Sequence, residues 1–408
     1  MGTGTGLKSA PSPDAAELRA AMISQLRGAG IIRSAGVESA MRAVGRHVFV
    51  PGVSVEKAYG LGPVVTHRDS DGTAVSSASA PGIVAGMLEQ LDVRPGHRIL
   101  EIGTGTGYNA ALLARLAGAS GAVTSIEYDE AVSSAARAAL GRTGYGQVEV
   151  ITGDGASGWA AGAPYDRIVV TAGAWDVARA WRDQLADGGL LLVPLRMSGL
   201  TRAVALRRDG EVLRSESMAP CGFIPMRGAG VVEEQNVWVG GKDGDLLLRI
   251  DDGRPADTDA AGRALDYPGA VAWTGVRFAM PEILEFWLAR MDGFCRVLAS
   301  RDAVGAGRVE SPLFPWGSMG VLRKGTVAYL TAAPDMSGLG VCAYGPAGQA
   351  LAGEMAARIR EWNAAGGPGM TVQVEVRPSS APAPADAWLI LDKKDSRVVI
   401  RMQSAESL

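Results

Sequence analysis

Arg98-Ile-Leu-Glu-Ile-Gly-Thr-Gly-Thr-Gly-Tyr108 is the stretch on which the reading of this chain turns. Arg98–Ile102 is an apolar run of strand length. Glycines follow at alternate positions, and the Ala/Leu-rich chain from about Tyr108 to Ala117 has helical spacing. The same rhythm continues downstream. Ala122–Glu127 predicts a second strand, followed by an alanine-rich helix to about Leu140. Val148–Ile151 and Tyr165–Thr171 predict two more strands, and a helix around Val177–Leu185 ends at Gly188-Gly189 before a strand over Leu190–Val193. Strands alternating with helices at this spacing predict an α/β fold with a doubly wound, mainly parallel sheet. Upstream, helices are expected from Asp14 to about Gly28 and from Val37 to Arg46, while residues 1–13 read as a frayed small-residue leader.

The glycine turn also carries chemistry. Gly103, Gly105 and Gly107 let the backbone approach a ligand and bend sharply into a helix. A dinucleotide loop wants G-x-G-x-x-G, whereas this one reads E-x-G-x-G-x-G with Tyr108 next. Glu127, twenty residues past Gly107 at the end of the next strand, can accept hydrogen bonds from both ribose hydroxyls of an adenosine. Asp154, in Gly153-Asp-Gly155, is placed to meet an adenine edge. Glu101 suits a ligand with a cationic end rather than a pyrophosphate. A glycine loop alone is often only a structural turn, but with these acids in register it describes a pocket for S-adenosyl-L-methionine. Thr104, Tyr128 and Gly155 fall beside them as further cofactor contacts.

Composition narrows the rest. The 408 residues carry 40 Lys+Arg against 43 Asp+Glu, a net charge of −3, which leaves no broad basic surface for nucleic acid. Three scattered histidines (His47, His67, His97) and three scattered cysteines (Cys221, Cys295, Cys342) offer neither a metal site nor a disulfide framework. No apolar run approaches the roughly 20 residues that span a bilayer, and the start lacks a signal-peptide pattern. A soluble, cytoplasmic protein with no metal and no membrane partner is expected. The length suggests two units, 1–230 and 231–408. In the second, strands are expected at Leu246–Ile250, Thr326–Thr331, Thr371–Val376, Trp388–Leu391 and Val398–Met402. Helices are expected at Pro281–Met291 and Gln349–Trp362, giving an α+β domain. Trp273, Trp287 and Trp316 read as core or interface residues.

Beyond the cofactor loop, the chain resembles the protein-L-isoaspartate O-methyltransferases. Val37–Pro51 with Lys57-Ala-Tyr59 is similar to that family's N-terminal signature, and Ala78-Ser-Ala-Pro81 to its catalytic I-S-x-P segment. Gly153-Asp-Gly155, Ala163–Ile168 and Gln184–Gly189 follow in family order, so that the resemblance covers about residues 15–225. It implies a Rossmann-like class I methyltransferase. It gives Ser79 the place of the catalytic serine and lays Ser77 and Ala78 along the cofactor. Two departures stand out: the polar approach Val64–Val75, with His67 and Arg68 as candidate substrate contacts, and a long tail. With Cys221–Gly228 they resemble a branch associated with lanthipeptide and other ribosomal-peptide clusters (the FxLD system). There the partner would be a modified precursor peptide, methylated on an ordinary aspartate whose ester closes to succinimide and opens to isoaspartate. Repair of isoaspartate in damaged proteins is the alternative, and a non-catalytic peptide-binding module is the alternative of another class. Oligomeric state stays open.

Overall fold

The computed structural model describes residues 14–403 except 233, 241–243, 279–281, 315 and 316. The leader, the Pro281 start of one expected helix and Trp316 lie outside the described residues. Two helices open the chain, Ala15–Gly28 and Ala35–Ala43, capped by the side chains of Asp14 and Ser34. Both bury an apolar face, including Met22, Ile23 and Leu26 in the first and Val37 and Met41 in the second. A hairpin that the sequence reading left as polar loop comes next. β1 (Val64–Arg68) pairs antiparallel with β2 (Ala74–Ala78) across a turn in which Asp69 and Asp71 both accept from Thr73 N.

The large sheet has ten strands and is parallel at its centre. β3 (Arg98–Ile102) is flanked by β4 (Ala122–Glu127), with β5 (Glu149–Thr152) beyond it. On the other side lies β6 (Tyr165–Val170), then β7 (Leu185–Met197). The chain therefore runs outward from β3 to β5 and then returns to the opposite side of β3, which puts the topological switch point between β3 and β6. β3 and β6 read as near-continuous apolar runs because both faces of the parallel part are covered. The expected helix at Val177–Leu185 is only Arg179–Gln184, and β7 starts at Leu185 rather than Leu190. Gly189 is pressed so close to Ala186 O and the Leu185 side chain that a Cβ would not fit, and the strand passes through the glycine pair with a register shift.

Beyond β7 the sheet turns antiparallel through β8 (Leu200–Asp209) and β9 (Val212–Pro220). It then takes in the last strands of the chain, Thr371–Pro378, Ser396–Gln403 and Leu389–Asp392. Between these two passages, residues 235–344 build a separate seven-stranded sheet that is antiparallel throughout, with the helix Gly348–Ala364 packed on it. The α/β class with an appended α+β region is therefore as expected. A charged seam joins the two sheets. Glu285 sits between Arg202 of β8 and Arg296 at 3.1 Å, all three largely buried. Within the large sheet, Lys393 ties the last strands to the parallel part by donating to the carbonyls of Trp175 and Arg196, and burial pushes its ammonium down to about 8 despite Asp176 and Asp251 nearby.

Candidate functional site

The glycine turn lies over the carboxyl end of β4. Gly103 N and Thr104 N donate to Ile126 O, and Gly105 N donates to Glu127 Oε2 at 2.9 Å. Gly103 has φ +100°, and a Cβ there would stand 2.6 Å from Thr171 Oγ1. Only glycine satisfies both constraints. Gly107, at φ +85°, turns the chain into the helix Tyr108–Ala117.

Above the switch point lies a cavity of about 650 Å³, a volume ordinary for a small-molecule or cofactor site. It is lined by Ile102, Ile126 and Val169, by the glycine turn with Glu127 and Tyr128, and by Ser77, Ala78 and Ser79 at the end of β2, with the Ser77 carbonyl close to Gly105. The segment Gly222–Arg227 covers it, pinned by Met226 N to Gly173 O and Gly173 N to Ile224 O. Arg227 lies 3.7 Å from both Glu127 and Asp129 and 5.2 Å above the Tyr128 ring.

Nine of the residues expected at the site line this one cavity: Ser77, Ala78, Ser79, Gly103, Thr104, Gly105, Glu127, Tyr128 and Gly155. The Ser79 hydroxyl makes no hydrogen bond to any other described residue, so it is free to donate. Five others fall outside the cavity wall. Gly107 shapes the turn from behind. Glu101 is fully buried and accepts from Ser125 Oγ and, at 2.8 Å, from Asn109 Nδ2. Burial pushes its carboxyl up to about 7, against those two hydrogen bonds. Its partner Asn109 does line the cavity. Asp154 accepts from Ala156 N and Ala229 N, which ties residue 229 to the loop after β5. Arg68 is exposed and donates to Gly72 O, closing its own hairpin. His67 is exposed as well.

Sequence reasoning missed Asn109, Thr171 and Arg227. Asn109 had a signal, a polar residue at the first turn of an otherwise apolar helix. Arg227 lay within Cys221–Gly228, noticed only as a departure. Arg46 was also missed. Buried completely, it donates to Ala58 O and Ala78 O and stands over the Tyr108 ring, bracing the Ser79 segment against the cofactor-loop helix.

The residues present fit an adenosyl ligand with a cationic end. There is a glycine cradle without Cβ atoms, a carboxylate at the end of β4, and apolar walls for a base. No cluster of three or more His, Cys, Asp or Glu capable of holding a metal occurs among the described residues, and no described helix is long and apolar enough to cross a membrane.

Residues 17–230 match the family described as protein-L-isoaspartate(D-aspartate) O-methyltransferase. The Methanopyrus kandleri protein-L-isoaspartate O-methyltransferase is 39% identical over 213 residues, covering 52% of this chain and 91% of the relative. Protein-L-isoaspartate O-methyltransferase 2 of Pelobacter propionicus is 44% identical over 214 residues, with 52% and 91% covered. A solved structure of a protein-L-isoaspartate O-methyltransferase is alike in fold across 95% of this chain and 99% of its own, at 19% identity and a TM-score of 0.52. With more than half of its length matched, this chain belongs to the protein-L-isoaspartate(D-aspartate) O-methyltransferase family, and it is an enzyme whose methyl donor is S-adenosylmethionine.

Proposed function

We propose that the cavity transfers a methyl group to the free carboxylate of an isoaspartyl residue in a protein or peptide. The observation that carries this is the uncommitted Ser79 hydroxyl in the same cavity as the glycine turn and Glu127. S-adenosylmethionine, when bound, supplies an electrophilic methyl group on a sulfonium. In our reading Glu127 accepts from the ribose hydroxyls, and Gly103 and Gly105 let the chain close around the amino-acid portion. The carboxylate substrate is ionised at pH 7, with a reference pKa near 3.5–4, so no strong base is required. What Ser79 must do is donate to one carboxylate oxygen and leave the other facing the methyl group. A neutral donor orients without overstabilising the ground state as a full positive charge would. Orientation in a dry cleft of this kind is worth up to about 7–11 kcal/mol of barrier. The ester product is attacked by the next backbone nitrogen, methanol leaves, and the succinimide opens to aspartate or isoaspartate.

A second reading is supported by the polar hairpin β1–β2, which holds Ser77–Ser79 at its base and carries exposed His67 and Arg68 at its far end. On that reading the substrate is an ordinary aspartate of a ribosomally made, cyclised precursor peptide. The tail does not separate the two readings, since a solved protein named for the isoaspartate reaction is alike in fold across it. We take residues 1–230 as the catalytic unit, 231–408 as an appended unit, and the cytoplasm as its compartment, consistent with three unpaired cysteines.

Mass spectrometry after incubation with S-adenosylmethionine tests this, using a short isoaspartyl peptide, its aspartyl twin and a cyclised Asp-containing precursor. A gain of about 14 Da on the isoaspartyl peptide alone supports the first reading. The same gain on the precursor, decaying to a net loss of about 18 Da, supports the second. Cofactor binding with no transfer to any of the three overturns both in favour of a non-catalytic peptide-binding module.

A further inference from the structure

A second cavity, of about 280 Å³, lies far from the first and takes no part in the chemistry above. It sits on the seam between the two sheets. Trp287, Arg290 and Met291 reach it from the chain at and just beyond the helix Glu282–Leu288. Glu354 and Arg358 come from the helix Gly348–Ala364, and Trp388 from the residue before the outermost strand of the large sheet. Such clefts between packed units are favoured places for binding. The indoles of Trp287 and Trp388 stack at 4.5 Å, and the Arg290 guanidinium lies 4.2 Å from the Trp388 ring centre on a residue otherwise exposed. Trp388 is fixed in place by donating to Phe286 O at 3.1 Å.

The charges around this stack are unevenly matched. Arg323 pairs with Glu354 at 3.0 Å and, through its Nε, lies 4.0 Å from Asp292, which also lines the cavity, and Arg358 pairs with Glu361 at 2.8 Å. Arg290 has no carboxylate partner among the described residues, and the buried Nε of Arg323 makes no hydrogen bond. A guanidinium stacked on an indole keeps its N–H edge free for a carboxylate, while the paired indoles offer a flat apolar wall. We propose that this cavity is a docking subsite for an acidic segment of the polypeptide substrate, taking an Asp or Glu side chain on Arg290 and a neighbouring aromatic or aliphatic side chain against Trp287 and Trp388.

The position sets which substrates feel it. Trp388 leads into the edge strand Leu389–Asp392, seven strand positions from β3. At about 4.8 Å per strand that is on the order of 30 Å, or roughly ten extended residues. The subsite therefore acts on flanking chain, not on the methylated residue. The proposal rests on the polypeptide-methylating reading above only for its purpose, because binding is measured without turnover.

The probe is a fluorescein-labelled twelve-residue peptide containing four Asp or Glu and one Trp, with no isoaspartate, followed by fluorescence anisotropy. Wild type is expected to bind it, with affinity falling as salt rises. Arg290→Glu should weaken binding at least tenfold, while Arg290→Lys stays within about threefold to fivefold. Thermal midpoints of both variants are measured alongside, and the exposed position predicts no loss of folding. Equal binding by wild type and Arg290→Glu, or equal binding of a twin peptide with Asn and Gln for the acids, would overturn the proposal. Wild-type methylation of a six-residue isoaspartyl peptide is run in parallel. Its failure with probe binding intact strikes the proposed reaction alone.

Discussion

The parallel half of the large sheet and the seven-stranded sheet are built on different kinds of constraint. β3, β4 and β6 end at a cavity where a glycine cannot gain a Cβ, a carboxylate must face the cleft and a serine hydroxyl stands free. The seven-stranded sheet has tight glycines too, but against its own side chains. A Cβ on Gly340 would meet the Trp273 ring at 2.6 Å. At Gly103 the tight contact, with Thr171, lies among residues that line the cavity, whereas at Gly340 it lies within the packing of the sheet. Mutations should therefore separate cofactor binding from stability along this line.

The largest effect is expected on the packing side. Leu330 is completely buried in the seven-stranded sheet, and Leu330→Ala should cost about 2–5 kcal/mol by chemical denaturation. The cofactor dissociation constant at 20 °C should stay within about twofold. A large rise in that constant would show that the two regions are not separable. Gly103→Val should do the reverse, because the new side chain collides with Thr171 and demands an unfavourable φ. Calorimetric titration should show cofactor binding weakened by about a hundredfold or more. Glu127→Ala removes hydrogen bonds to a charged group, each worth about 1.5–3 kcal/mol. It should raise the same constant by roughly tenfold to a hundredfold with a smaller change in stability.

How much of this was legible beforehand follows the same division. The Gly103–Gly107 turn, Glu127 and the mainly parallel sheet were readable because a glycine turn between a strand and a helix, followed by an acid at the end of the next strand, demands fixed residue types at fixed spacing. The contact of Asp154 with the segment beyond Arg227 was not readable. Nothing in the chain order shows that Gly228-Ala229 returns to meet its carboxylate. The hairpin β1–β2 was missed although Asp71-Gly72 is a turn signal, since the flanking Thr-His-Arg and Asp-Ser are too polar to read as strands. The return of Thr371–Gln403 to the large sheet could not be read at all. Alternating apolar residues reveal a strand but not a partner more than 150 positions away, as Glu375 is from Arg214.

The smallest effect concerns Glu101. Its folded-state value is pushed up to about 7 from an ordinary 4.5. The folded protein thus holds this proton to higher pH than the unfolded chain, and its contribution, complete below about pH 4.5, is lost as pH rises through 7. Urea midpoints should fall between pH 6 and 8 by an amount equivalent to about 1 kcal/mol in wild type. Glu101→Gln should flatten that slope, and a slope unchanged in the variant would assign it to other groups.

Ser79 is proposed to orient a carboxylate in the cavity that takes the methyl donor. Single-turnover transfer from saturating S-adenosylmethionine to a short isoaspartyl peptide, compared between wild type and Ser79→Ala, tests it most directly. Calorimetric cofactor titrations of both proteins accompany it. The account predicts cofactor affinity within about twofold and a transfer rate at least tenfold lower in the variant. An unchanged rate at unchanged affinity would contradict it.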